Sequence, residues 1–113
     1  DGTCIRDFIH IEDLAEGHVA ALKILSSKHK GFMTLNLGTG KGTSVLKLVE
    51  VFEKVNKVKL SYEFTSRRDG DSPILIADNT KALKTINWKP KRCLEEMCID
   101  GYNWLKINPT VYI

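Results

Sequence analysis

The sequence predicts an α/β chain of short strands and about four helices. Three observations predict it. A β-like apolar run, a glycine-rich stretch and an amphipathic run follow one another over residues 32–55, the order of a βα unit. Leu60, Tyr62 and Phe64 alternate with Ser61 and Glu63 at the period of a half-buried strand. Apolar residues recur at helical spacing over residues 14–25 and 94–105.

Taken in order, Asp1, Gly2 and Thr3 read as a turn, and residues 6–11 as a short extended piece with Phe8 and His10 alternating against Asp7 and Ile9. Asp13 is expected to cap the first helix, with Glu16 three residues on completing a capping box. Leu14, His18, Leu22 and Leu25 share one face of that helix, with Ala15, Val19 and Ile24 beside them. The pattern fades at Ser26, Ser27 and Lys28 and ends by Gly31. Residues 32–37 form the next expected strand. It runs into Gly38-Thr39-Gly40-Lys41-Gly42, where three glycines in five residues specify a loop. Thr43 or Ser44 then caps a helix whose apolar face is Val45, Leu48, Val49, Phe52 and Val55.

A strand over residues 60–65 leads to the loop Arg67-Arg68-Asp69-Gly70-Asp71-Ser72-Pro73, and a short apolar strand follows at 74–77. Asp78 or Asn79 caps a short helix carrying Ala82, Leu83 and Ile86, and Asn87-Trp88-Lys89-Pro90 breaks it. The last helix is expected from about 94 to 107, with Leu94, Met97, Cys98, Gly101, Trp104 and Leu105 inward. Glu95 and Glu96 in its first turn and Lys106 in its last suit the helix dipole. Few strands serve many amphipathic helices, so an exposed apolar patch is expected.

At 113 residues the chain suits one small domain, and 42% hydrophobic with 27% charged residues is the balance of a soluble globular protein. No apolar run approaches the ~18 residues of a membrane span. The chain begins at Asp1 with no signal-peptide pattern, which reads as a piece of a longer chain or a processed one. The net charge of +3 is too small and too evenly spread for a nucleic-acid footprint. Cys4, Cys93 and Cys98 form neither a CxxC nor a metal spacing, and they point to a reducing, intracellular setting. Cys98 reads as a core residue. His10, Asp13 and His18 reproduce no metal geometry, and His10 and His18 read as satisfied core or boundary histidines, so no metal is assigned.

The chemistry concentrates in the Arg67–Pro73 loop. Arginine presents a planar fork of donors suited to phosphate oxygens, and a nearby Asp can accept from sugar hydroxyls. The competing reading is a solvated loop whose Arg and Asp pair with each other. Arg6-Asp7-Phe8 reads first as an ion pair between neighbours. If Arg6 and the Arg67-Arg68 pair meet, a diphosphate fits between them. Asn36 to Gly42 lacks the G-x-x-x-x-G-K-[ST] spacing and reads as a structural turn.

Arg6-Asp7-Phe8-Ile9-His10, Asp13-Leu14-Ala15-Glu16-Gly17-His18, Asn36-Leu37-Gly38-Thr39-Gly40, Ser44-Val45-Leu46, Arg67-Arg68-Asp69-Gly70-Asp71 and Asp78-Asn79-Thr80-Lys81-Ala82 occur in that order, followed by Leu94-Glu95-Glu96-Met97, Trp104 and Asn108-Pro109. Over essentially its whole length the chain resembles the C-terminal third of the UDP-hexose 4-epimerases, in the extended short-chain dehydrogenase/reductase (SDR) family. The resemblance implies that residues 1–113 are a UDP-sugar-binding portion beside an NAD-binding Rossmann domain absent from this chain. It implies that Arg6 and Arg68 contact the UDP diphosphate, that Asp71 binds the ribose hydroxyls, and that Leu75 lies near the hexose. The implied reaction interconverts UDP-galactose and UDP-glucose through a 4-keto intermediate formed with NAD, in a cytoplasmic enzyme that is often a homodimer, with its dimer helices outside this segment.

That chemistry needs a Tyr-x-x-x-Lys pair. Ser66 stands four residues after Tyr62 and Lys106 four after Tyr102; neither these nor Tyr112 is read as that pair, and no catalytic residue is assigned. Cys4 stands where the family usually has Gly, and Asp69 where it has Glu. Alternatives are another extended-SDR nucleotide-sugar enzyme, such as a dehydratase, decarboxylase or pentose epimerase, and a non-catalytic nucleotide-sugar-binding module.

Overall fold

A computed structural model describes residues 1–27 and 31–110. Lys28 and Tyr112 lie outside the described residues. The elements are β1 (Ile5–Arg6), α1 (Ile11–Ser27), β2 (Thr43–Ser44), α2 (Val45–Asn56), β3 (Ile74–Leu75), α3 (Thr80–Ile86) and α4 (Leu94–Ile107). The sheet has the order β2-β1-β3. β1 runs antiparallel to β2, with Arg6 opposite Thr43, and parallel to β3, with Arg6 opposite Leu75. The expected α/β class and helix content are present.

The first turn forms as expected, Thr3 donating to Asp1 Oδ1 through its amide and its hydroxyl at 2.9 and 2.7 Å. The extended piece is shorter than expected, because α1 already begins at Ile11. His10 supplies its cap: its carbonyl accepts from the Leu14 amide at 3.0 Å and its Nδ1 from the Glu12 amide at 3.1 Å. That bond leaves the proton on Nε2, which donates to Asp100 Oδ2 at 3.1 Å.

Asp13 is therefore not a cap. Its carboxylate is 1% exposed and accepts from the amides of Lys91 and Arg92 at 3.0 and 2.9 Å and from Arg92 Nη1 at 2.6 Å. Burial pushes its pKa up, but the Arg92 and Lys91 amides and the Arg92 guanidinium together outweigh this and hold it below its ordinary value. Glu16, the other half of the expected capping box, pairs with Lys91 at 2.6 Å and with Arg92 at 3.2 Å.

The core sits where α1 meets α3. Ala82, Ile86 and Trp88 are buried there, with Ile9, Ala20, Ala21, Ile24, Leu35 and Leu37 packed around them. Trp88 Nε1 donates to the Asp13 carbonyl at 2.9 Å. Gly17 makes the contact possible, since a Cβ there would lie 2.9 Å from Leu37 Cδ1 and 3.1 Å from the Trp88 ring. Gly17, Ala20 and Ala21 of α1 thus face inward. The expected face fails: Leu22 is 64% exposed, and Leu25 and His18 are also exposed. With Ile11, Val19 and Phe32 they form the exposed apolar surface that the shortage of strands predicts.

Ser44, not Thr43, caps α2, its side chain accepting from the Lys47 amide at 3.1 Å. Val51 is the buried residue of α2, whereas Val45 of the expected face is exposed. α2 packs on α4 through Phe52 and Tyr102, edge to face at 5.5 Å, and Asn56 Nδ2 donates to the Cys98 carbonyl at 3.1 Å. α4 has the expected span, and Cys98 is buried as expected. Gly101, Trp104 and Leu105 are exposed, so its last turns are not inward.

Residues 32–37 and 60–65 form no strand. Phe64 and Tyr62 are exposed and touch each other edge to face at 5.8 Å. A strand needs a hydrogen-bonded neighbour, and among the described residues neither segment has one. The radius of gyration is 16.8 Å, against about 13 Å for a compact domain of this length. The excess matches the apolar faces left open.

Replacing Asp13 by Ala strands the Lys91 and Arg92 amides, while the Arg92 guanidinium keeps Glu12 and Glu16; it should cost about 3 kcal/mol, read as a lower urea midpoint. The Asp13 pKa is lowered on folding, so its contribution is present above the ordinary carboxylate range and lost as pH falls through the folded value. Stability should therefore fall below about pH 4, and less steeply in Asp13→Ala.

Candidate functional site

β1 carries Arg6 to the sheet's middle position and β3 brings Leu75 beside it. The chain between α2 and β3 is anchored at its start by Glu53, which accepts from the Leu60 amide at 2.8 Å and pairs with Lys59 at 3.0 Å. The Leu60 amide first, and then Lys59, lower the Glu53 pKa. Residues 61–70 are exposed throughout. The loop returns at Asp71, whose amide donates to the Arg68 carbonyl at 3.2 Å.

There the three expected ligand residues meet. Asp71 Oδ1 accepts from Arg6 Nη2 at 3.4 Å, and Asp71 Oδ2 from Arg68 Nε and Nη2, each at 3.3 Å. One carboxylate lies between two guanidiniums. Arg6 and Asp71 are 25% and 28% exposed, and Arg68 is 87% exposed. The loop thus has the internal pairing of the competing reading, in an arrangement that also brings two cationic forks together. Arg6 does not pair with its neighbour Asp7, as the sequence first suggests; its other bond is Nη1 to the Ile5 carbonyl at 2.9 Å. Arg67 forms no pair with Asp69 among the described residues.

Beside Arg6 lies a cleft of about 390 Å³ lined by Asp7, Asn36, Leu75, Ala77 and Asp78. Leu75 is exposed there. The Thr80 side chain and amide lower the pKa of Asp78, the amide donating at 2.9 Å.

Sequence reasoning offers Asp7 only an ion pair with its neighbour Arg6 and misses its role in the glycine turn. Its carboxylate accepts from the Thr39 hydroxyl, from the amides of Thr39 and Gly40 at 2.8 and 2.9 Å, and from the Ala77 amide at 3.3 Å. The glycine turn does hold an anion, but the anion is the chain's own. A legible signal existed: a tight Gly-Thr-Gly turn exposes amides that need an acceptor.

Tyr102 and Lys106 do have the Tyr-x-x-x-Lys spacing, so that spacing is not absent from the chain. In α4, however, the Lys106 ammonium lies over the Tyr102 ring face, 4.8 Å from its centroid, and that ring packs on Phe52. The pair is a cation–π contact on the far helix and lines no cleft with Arg6. Among the described residues no group of three or more His, Cys, Asp or Glu side chains is placed to hold a metal ion.

The family model described as GDP-mannose 4,6 dehydratase matches residues 1–100. The chain belongs to this family. Within the extended SDR enzymes of the family it corresponds to a C-terminal part. UDP-glucose 4-epimerase 4 of Oryza sativa subsp. japonica is 50% identical over 112 residues, which cover 99% of the chain and 30% of that relative. A UDP-glucose 4-epimerase from Stenotrophomonas maltophila, solved with NAD and formylated UDP-arabinopyranose, is 41% identical at a TM-score of 0.90, over 96% of this chain and 32% of that one. The Bifidobacterium longum UDP-glucose 4-epimerase, solved with NAD+ and UDP, is 39% identical at a TM-score of 0.87, over 99% and 33%. The chain spans about a third of the length of these members of the family.

Asp71 is what ties the exposed loop to β1. Two surface pairs of this kind hold a segment by about 1 kcal/mol together. Asp71→Ala should therefore speed tryptic cleavage after Arg67 and Arg68 about fivefold, followed by mass spectrometry.

Proposed function

We propose that the chain is the UDP-sugar-binding part of a UDP-glucose 4-epimerase, interconverting UDP-galactose and UDP-glucose through a 4-keto intermediate. One observation carries the reading. Arg6 and Asp71 lie 65 residues apart in sequence, yet they converge with Arg68 beside a cleft. Two arginine forks offer the donors and the charge that a diphosphate requires. Asp71 lies where that anion would sit, between the two guanidiniums. When the phosphates take over the guanidiniums, the carboxylate is released to accept from the ribose hydroxyls. Leu75 then faces the hexose with an aliphatic surface. Relatives and structural neighbours named UDP-glucose 4-epimerase, two of them solved with NAD, support the assignment.

NAD belongs to the complete enzyme. The Thr39 and Gly40 amides are turned onto Asp7, so the glycine turn of this chain does not fit a dinucleotide pyrophosphate. No hydride-transfer step is assigned to these residues. The complete enzyme is expected in the cytoplasm as a homodimer whose dimer helices lie outside this segment, as part of galactose metabolism.

A second reading, an extended-SDR enzyme acting on another nucleotide sugar, is favoured by the dehydratase description of the matching family. The same phosphate-binding residues serve it, and product analysis with UDP-galactose separates the two.

In the complete polypeptide, Arg6→Ala should weaken UDP binding about a hundredfold. Arg68 is far more exposed, and Arg68→Ala should cost only about tenfold. Calorimetric titration with UDP measures both, and unchanged affinity in the two variants refutes the site. The 113 residues alone, supplied with NAD, should not convert UDP-galactose; turnover there would contradict the proposed division of labour.

A further inference from the structure

We propose that Asp7 is the positioning residue of the anion site, setting where Arg6 presents its guanidinium. The inference rests on the proposed diphosphate role of Arg6.

β1 is two residues long, so its backbone pairing stops at Arg6. Asp7 is the next residue, and its side chain continues the pairing on both sides. On the β3 side, Oδ2 accepts from the Ala77 amide, two residues beyond the Arg6–Leu75 pair. On the β2 side, Oδ1 takes the Thr39 amide and hydroxyl, and Oδ2 takes the Gly40 amide. An ionised carboxylate has about four acceptor positions, and all are used. The site is built for this carboxylate. Gly38 is buried, and a Cβ there would lie 2.7 Å from Asp7 Oδ2 and 2.5 Å from Ala77 Cβ. Glycine permits the turn to close on the acid.

Arg6 has little else to fix it. Its guanidinium bonds its neighbour's carbonyl and, at 3.4 Å, a carboxylate on an exposed loop. The loop is the element a ligand must rearrange, so it cannot be the reference for Arg6. The reference is the backbone at residues 6–7, and Asp7 clamps that backbone to both neighbouring segments. Asn at this position places an NH2 against amide donors and breaks the clamp without changing side-chain size.

The test is calorimetric titration of the complete polypeptide with UDP and with uridine, comparing wild type, Asp7→Asn, Arg6→Ala and the double variant. The expected result is an approximately tenfold loss of UDP affinity in Asp7→Asn, unchanged uridine affinity, and no further loss when Asp7→Asn is added to Arg6→Ala. A residue that only stabilises the fold would lower uridine and UDP affinity alike and act additively with Arg6→Ala. That pattern, or wild-type UDP affinity in Asp7→Asn, overturns the proposal. If Asp7→Asn does not fold, Thr39→Val removes one donor and should show the same pattern at about threefold, and its absence overturns the proposal equally. Unchanged UDP affinity in Arg6→Ala overturns the diphosphate reading itself, and Asp7's role with it. A loss in Arg6→Ala without one in Asp7→Asn or Thr39→Val leaves that reading standing and removes only Asp7.

Discussion

The carboxylate of Asp7 takes hydrogen bonds from the turn before β2 and from the segment after β3, at the point where β1 runs out of backbone pairing. A sheet this short has few ladder bonds to define where its strands end. The side chain supplies acceptors to the part-buried amides of Thr39 and Ala77 and to the exposed amide of Gly40. Arg6 and Leu75, the pair facing the cleft, are spaced by that junction. The proposed positioning role of Asp7 rests on this junction.

Asp13 does the equivalent work at a second junction. It joins the first turn of α1 to the chain between Trp88 and α4. The two acids answer one shortage: the apolar core is small, and several helices keep apolar faces open. Polar junctions give these segments their register, while the exposed faces of α1 and of residues 60–65 remain available for burial in a larger polypeptide.

The helices were legible in the sequence because their signals are local. α4 begins at Leu94 and ends at Ile107, where its charge pattern places it, and Asn87 ends α3 in a left-handed conformation as a breaker should. The strands at 32–37 and 60–65 were not legible, since alternation says which face would be buried but not whether a partner exists. Asp13 resembled a cap because an acid three residues before Glu16 fits that pattern; its real partners lie near residue 92 and are invisible locally. Of the site, the arginines and Asp71 could be named from their chemistry. Asp7 could not, because its donors come from segments distant in sequence.

Asp71 lies between Arg6 and Arg68 as an internal anion; the proposed UDP site requires an external anion on the guanidiniums and Asp71 on the ribose. The measurement that decides this is a crystal structure of the complete polypeptide with UDP bound. Diphosphate oxygens are expected within hydrogen-bonding distance of both Arg6 and Arg68, with Asp71 moved from between them onto the ribose hydroxyls. UDP bound elsewhere, with Asp71 still bridging the two arginines, would contradict it.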